Sequence, residues 1–164
     1  MTYRLEPMTG AHRRPAIDLY NHYVRSSFAA YPEEEAPYEI FDRFLAMARG
    51  YPAYVALVER TGEVAGFAFL HAYHPAATFK RTAELTIFLG PDHTRQGLGS
   101  LFLERLEAEA RRLGVDTLLA NVSSRNEASL RFHQARGFVE CGRFREIGRK
   151  HGQDFDVVWF EKRL

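Results

Sequence analysis

The chain has a single cysteine, Cys141, among 164 residues. One thiol cannot close an internal disulfide, so the core must hold the fold and a reducing, cytoplasmic location is expected. Neither sign of charge is in excess. Lys and Arg number 22 against 21 Asp and Glu, for a net charge of +1. That argues against bulk attraction to nucleic acid or to an anionic membrane, and neither is expected as a partner. No apolar run approaches the roughly 20 residues that cross a bilayer. The opening stretch, MTYRLEPMTG, lacks the apolar centre of a secretory signal. His, Cys, Asp and Glu do not cluster at metal-ligand spacing, so no metal is expected. No repeat, low-complexity tract or linker-like stretch interrupts the chain, and a single domain over 1–164 is the simplest count.

The sequence does carry the composition of a soluble globular protein, with 46% apolar and 26% charged residues. Tyr3 to Pro7 reads as a strand, and Ala16 to Val24 as a helix with Ile17, Tyr20, Tyr23 and Val24 at helical spacing. Phe28 to Pro37 is a loop containing Glu33-Glu34-Glu35, and Tyr38 to Ala48 is a second helix stopped by Gly50 and Pro52. Ala53 to Glu59 and Val64 to Tyr73 form a hairpin around Thr61-Gly62. Ala83 to Leu89 is a strand, Gly97 to Leu113 a helix, Thr117 to Val122 a strand, and Glu127 to Arg136 a helix stopped by Gly137. Phe138 to Ile147 and Phe155 to Lys162 are closing strands. The order is β-α-α-β-β-β-α-β-α-β-β.

One joint stands out. The strand ending at Gly90-Pro91 feeds a short polar turn, and Gly97 and Gly99 open a helix with apolar Leu98, Leu101, Phe102 and Leu106. A helix start with glycines offers unpaired N–H groups and a positive end to an anion, with no side chain to hold a phosphate away. A pyrophosphate-bearing cofactor is the first hypothesis. A dinucleotide site would want a third glycine where Phe102 stands, and a nucleotide-phosphate loop would want a lysine that is missing. An ordinary strand–turn–helix joint remains an alternative for the pattern by itself.

Thr94-Arg95-Gln96-Gly97-Leu98-Gly99 resembles the Gln/Arg-x-x-Gly-x-Gly/Ala motif of the GNAT superfamily of N-acetyltransferases, with Thr94 departing from the first position. Asn126 to Phe138, NEASLRFHQARGF, resembles a second family segment, and the element order is that of the family. Within it, Asn21-His22-Tyr23-Val24, Ser129 to His133, Lys150-His151-Gly152 and Trp159-Phe160 are similar to the phosphinothricin/methionine sulfone acetyltransferase branch. The resemblance spans the chain. It implies an α/β (α+β) GNAT fold with a mixed, mostly antiparallel central sheet. It also implies acetyl-CoA as co-substrate, a small amine acceptor of amino-acid type, and a homodimer formed through the final hairpin. The branch often carries Phe-Arg where this chain has Tyr31-Pro32, which puts phosphinothricin itself in question.

The resemblance also assigns residues. Backbone of Ile87, Phe88 and Leu89 would line the pantetheine arm and supply an oxyanion donor. Arg95, Gln96, Gly97, Leu98, Gly99 and Ser100 would meet the pyrophosphate, and Asn126 the pantetheine. His133, where the family often has tyrosine, would give a proton to the departing thiolate. Without the family, Asn126 is a helix cap, and His133 a helix histidine.

The chemistry needs a base. A lysine-like ammonium of pKa about 10.4 is neutral in only about one molecule per 10³ at pH 7. Glu84 is the candidate the resemblance implies: it stands on the strand expected beside the cofactor and matches the branch's carboxylate position. Strict alternation, with Glu84, Thr86 and Phe88 on one face and Leu85, Ile87 and Leu89 on the other, lets it point into a pocket. The alternative is a solvated strand-end carboxylate. Tyr31, Tyr73 and Phe155 are candidate aromatic walls for the acceptor. The acidic run 33–35 reads first as a solvated loop, with attraction of a cationic amine as the alternative. The basic Arg143, Arg145, Arg149 and Lys150 either hold a substrate carboxylate or CoA phosphate or are solvated. Cys141 is a poor nucleophile candidate, so transfer is expected to be direct. A protein N-terminus as acceptor, and a non-catalytic acyl-CoA sensor, are the rival readings.

Overall fold

The computed structural model describes residues 1–164. Seven strands form one mixed sheet in the order β1-β2-β3-β4-β5-β7-β6. Strands β1 (Tyr3–Pro7), β2 (Ala53–Val58), β3 (Val64–Ala72) and β4 (Thr82–Leu89) pair antiparallel in succession. Strand β5 (Thr117–Ser123) joins β4 in parallel. The hairpin of β6 (Val139–Lys150) and β7 (Gln153–Arg163) closes the sheet with β7 on the inside.

Burial decides that order. Phe155, Val158 and Phe160 on β7 are buried, whereas β6 buries only its last residue, Lys150. The apolar strand therefore takes the position with two neighbours. Helices α1 (Arg13–Ser26) and α2 (Ile40–Met47) cover one face, packing Ile17, Leu19 and Phe41 on Val55, Leu57, Phe67 and Phe69. On the other face α3 (Leu98–Arg112) packs Leu98, Phe102 and Leu106 on Ala68, Leu70, Ala83 and Leu85. Beside it α4 (Glu127–Ala135) adds Leu130 and Phe132.

Two details differ from the sequence reading. Leu101 is 37% exposed, and Leu103 rather than Leu101 belongs to the buried core. The buried stripe of α3 follows 98, 102, 106 and 110, with 99 and 103 beside it, which is the i, i+4 ridge of a helix on a sheet. Short 3₁₀ turns also occupy Gly10–His12, Ala77–Phe79 and Pro91–His93, where the sequence read as loop.

The feature that positions the site is a split in the sheet. Parallel pairing of β4 with β5 covers only Thr82–Thr117, Ala83–Leu118 and Glu84–Leu119. Beyond Glu84, β4 stays with β3 as far as Leu89, and β5 stays with β7 as far as Ser123. The two halves of the sheet part company at Glu84.

Candidate active site

The cleft begins where the pairing stops. Gly90 N–H donates to Ala65 O at 2.7 Å. By antiparallel alternation, Thr86 and Phe88 then bond toward β3, while Ile87 and Leu89 turn their backbone groups away from it, into the cleft. This corrects the expectation for Phe88: its backbone is committed to Phe67, and its ring packs on Tyr20, Tyr23 and Phe67. Tyr23 donates to Leu89 O at 2.6 Å, so one cleft carbonyl is already engaged. Leu85, Ile87 and Leu89 pack against the α3 side, and Phe88 against the α1 side, as the alternation required.

At the end of β4 the turn before α3 is built to leave amides free. Arg95 has φ 59° and Gly97 has φ 82°, both left-handed. None of the N–H groups from Arg95 through Ser100 bonds to any backbone or side-chain acceptor of the protein. The first such bond is Leu101 N–H to Gly97 O, at 3.0 Å. Successive free amides at a helix start form an anion cradle. Gly99 is needed for a different reason: a Cβ there falls 3.0 Å from the Phe132 ring. The cradle is braced from outside. Tyr3 donates to Gln96 Oε1 at 3.1 Å, and Gln96 Nε2 donates to Asp92 O at 2.6 Å. The Gln96 side chain is therefore engaged in bracing the turn, and only its backbone N–H is left free. Arg95 makes no ion pair and no side-chain hydrogen bond within the protein. The cradle and the cleft fit the pyrophosphate and pantetheine of acetyl-CoA.

At the other end of the cleft stands Glu84. Its carboxylate is 17% exposed. Oε1 accepts from Asn121 Nδ2 at 2.6 Å. Oε2 has no protein donor, and the nearest ring nitrogen, His71 Nε2, is 3.9 Å away. His71, on β3, is enclosed, with a side chain only 14% exposed. Asn121 Oδ1 in turn accepts from the Tyr31 hydroxyl at 2.8 Å. Although Tyr31 is 41% exposed as a residue, its hydroxyl is turned inward, and burial with the Glu84 charge pushes its pKa up to about 12.

Tyr31 stacks on Phe155 with centroids 5.6 Å apart, and Phe28 meets Phe155 edge-on at 5.7 Å. Tyr31 and Phe155 form an aromatic wall beside Glu84. Tyr73 does not join it; it packs on Phe79 at 5.7 Å and on His74 at 6.5 Å. The wall depends on a tethered loop. Lys150 is fully buried and donates to Ser27 O at 2.7 Å and Ala30 O at 2.6 Å, and burial lowers its pKa. Glu33 accepts from His151 N–H at 2.5 Å, and Glu35 pairs with Arg25. The acidic run thus serves the loop's own anchoring. The basic set is also largely spent: Arg143 pairs with Glu140 and Asp156, and Arg149 with Asp154. Between α1 and this loop is a shallow depression of 370 Å³ lined by Asp18, Asn21 and Arg25, among others. It contains none of the candidate groups.

In α4, Asn126 caps the helix, its Oδ1 accepting from Ser129 N–H at 3.3 Å, and its amide NH₂ remains free. His133 has a different setting from the one expected. Its ring is buried, stacked on Phe160 at 5.6 Å and edge-on to Phe132 and Phe138. Nδ1 lies 2.8 Å from Ser129 O, which can only accept, so Nδ1 carries the hydrogen. Burial lowers the pKa, and a neutral ring in that tautomer has no second proton to give. The geometry makes His133 a packing residue. Cys141 lies exposed on β6, and desolvation with nearby Glu161 raises its pKa, which keeps it a thiol.

Asn121, Tyr23 and the loop tether of Lys150 were not singled out as site residues from sequence. Asn121 alone carried a signal: an amide inside a strand between Ala120 and Val122 is out of place.

A sheet split beside a free-amide helix start defines an acyl-CoA-dependent transferase. The family description "Acetyltransferase (GNAT) family" matches residues 16–138, and the chain belongs to that family of N-acetyltransferases. It is 31% identical to a phosphinothricin N-acetyltransferase of Streptomyces coelicolor, over 92% of this chain and 90% of the relative. It is 32% identical to an L-amino acid N-acyltransferase of Escherichia coli, over 90% and 86% of the two chains. The structure superposes on a phosphinothricin acetyltransferase from Sinorhizobium meliloti solved with acetyl-CoA. That match has TM-score 0.91 and 30% identity, and covers all of this chain and 89% of the other.

Proposed function

We propose that this N-acetyltransferase passes an acetyl group directly from acetyl-CoA to the primary amine of a small, amino-acid-like acceptor, with Glu84 as general base. The observation that carries the reading is the position of Glu84. It stands where β4 and β5 separate, with Oε1 held by Asn121 and Oε2 free, beside the Tyr31–Phe155 wall. The curated relatives acting on phosphinothricin and L-amino acids support that acceptor class.

Acetyl-CoA supplies an activated thioester. The free amides from Arg95 to Ser100 hold its pyrophosphate, the Arg95 guanidinium reaches a phosphate, and the Asn126 NH₂ meets the pantetheine arm. Ile87 and Leu89 offer N–H groups to the arm and to the oxyanion. Glu84 Oε2 takes a proton from the bound ammonium. The freed nitrogen attacks the thioester carbon, the C–N bond forms, the C–S bond breaks, and the nitrogen's surplus proton passes to solvent or to the departing thiolate. A thiol of ordinary pKa, about 8.5, leaves readily as thiolate, so no acid from His133 is needed. Tyr73 is left as an outer contact for longer acceptors.

The same reading includes a cytoplasmic homodimer, with no nucleic acid or membrane partner. What supports the dimer is β6, an edge strand on which Val139, Phe144 and Ile147 are all more than half exposed.

The test is acetyl-CoA-dependent thiol release against amino acids, methionine sulfone, methionine sulfoximine, phosphinothricin, polyamines and short peptides. Turnover with an amino-acid-like amine, lost by about 10²- to 10⁴-fold in Glu84→Gln at pH 7, is the expected result. Turnover confined to peptides moves the acceptor to a protein N-terminus. Tight acetyl-CoA binding without turnover on any amine leaves a sensor.

A further inference from the structure

We propose that Asn121 is a positioning residue that selects which oxygen of Glu84 meets the amine, and that Tyr31 sets Asn121 from the acceptor loop. The inference rests on the reading of Glu84 as the base.

The direction of the hydrogen-bond chain follows from donor counting. Ionised Glu84 can only accept, so the Asn121 group 2.6 Å from Oε1 must be the NH₂. The Asn121 carbonyl then faces Tyr31, whose hydroxyl must donate, at 2.8 Å. The opposite amide orientation would set two acceptors against each other at Glu84. Tyr31 O–H to Asn121 O, and Asn121 N–H to Glu84 Oε1, is the arrangement that satisfies all three groups.

This chain leaves one carboxylate oxygen with work to do. Oε1 is occupied, and Oε2 faces His71 Nε2 across 3.9 Å, too far for a hydrogen bond. An ammonium brought against Oε2 finds an acceptor with no competing protein donor. The groups facing the carboxylate are His71 from β3, Asn121 from β5 and Tyr31 from the loop.

The anchoring of the loop extends the argument. Residues 27–37 are tied by Lys150 to Ser27 and Ala30, and by Asn21 to Ala36. Tyr31 lies between those anchors, and its ring rests on Phe155. The wall that receives the acceptor and the group that orients the base are therefore one side chain. A loop displaced by a poorly fitting acceptor withdraws the Tyr31 hydroxyl. The Asn121 amide is then released to rotate, and the hold on Oε1 weakens. Specificity is read at the base as well as at the wall. The anomaly of an asparagine within a buried strand is accounted for by this task.

The experiment compares Asn121→Ala, Tyr31→Phe and Glu84→Gln, using L-methionine sulfone or the panel amine that turns over fastest. For Asn121→Ala the expected result at pH 7 is a kcat lower by about tenfold or more, from misplacement of the base. Its KM for acetyl-CoA is unchanged. Tyr31→Phe keeps the ring and the stacking, and loses less in the same direction. Both deficits shrink at about pH 10, where most of a free amino acid's α-amine is already neutral and no longer needs the base. A packing defect would persist at that pH, so a pH-independent loss overturns the inference. Wild-type kcat in both variants, beside a crippled Glu84→Gln, overturns it too and leaves the base intact. Full activity of Glu84→Gln instead removes the underlying reading. Tyr31→Phe decides the matter if Asn121→Ala does not fold.

Discussion

The tip of the Phe155 ring occupies the space where a side chain on residue 148 would begin. A Cβ built on Gly148 falls 2.2 Å from Phe155 Cζ. Gly148 belongs to β6, and its missing side chain lets the aromatic wall lie against the hairpin backbone. Gly148→Ala is expected to force Phe155 off its stack with Tyr31. Overpacking of this kind costs about 1–3 kcal/mol. The melting temperature should fall, and KM for the amine should rise while KM for acetyl-CoA stays put. Steady-state kinetics with each substrate varied in turn check the split.

Lys150 should behave as a loop tether. Lys150→Met leaves the carbonyls of Ser27 and Ala30 without their donor, and an orphaned buried acceptor costs about 1–3 kcal/mol. The amine KM should rise with it. Burial holds the folded pKa below the unfolded value near 10.5, so the unfolded chain binds this proton more tightly. Stability from the group therefore increases as pH climbs from the lowered value toward 10.5. Urea titrations from neutral to alkaline pH should show the wild type gaining on Lys150→Met in that window.

His133 should matter to acid stability and not to the chemical step. Its folded pKa lies below the ordinary 6.5 because the ring is buried. Stability is then fully present above 6.5 and is lost as pH falls below it, because only the unfolded chain takes up the proton. His133→Gln keeps a donor for Ser129 O and does not titrate. Its stability should fall less steeply than wild type below pH 6.5, and its kcat should stay within a few-fold. A loss of about a hundredfold, the scale of general acid catalysis, would restore a proton-donating role.

The turn from Arg95 to Gly97 separates backbone from side chain. Arg95 holds a left-handed backbone at φ 59°, which a glycine adopts freely. Arg95→Gly should relieve strain of about 1 kcal/mol, and Arg95→Ala should not. Both should raise KM for acetyl-CoA by about tenfold or more, the worth of a charge-assisted hydrogen bond. An unchanged KM in both would leave the free amides as the whole site. Thermal melts alongside the kinetics read the two effects independently.

Much of this was legible in the chain because the signals were local. The glycines at 97 and 99 marked the helix start, and the alternation of Glu84 to Leu89 assigned its faces before any contact was known. What remained hidden was non-local. Asn121 gains its meaning only from residues 37 and 90 positions away, at Glu84 and Tyr31. Lys150 is 120 or more residues from the carbonyls it binds, and in sequence it looked like one member of a solvated basic set. His133 matched a motif position, and its burial against Phe160 decided its role. Tyr73 and Phe155 looked alike as aromatics near loops, and packing separated them.

By itself the sequence determined the element order, the glycine-bearing turn before the third helix, the faces of the strand carrying Glu84, and membership of an acetyltransferase family. Each follows from short-range periodicity, from backbone freedom at glycine, or from motifs a few residues long. Tertiary structure decided where the sheet splits, which oxygen of Glu84 is free, and which aromatic rings stack beside it. Those depend on which strands bury their apolar residues against which neighbours, and on hydrogen bonds that exist only once distant segments have been brought together.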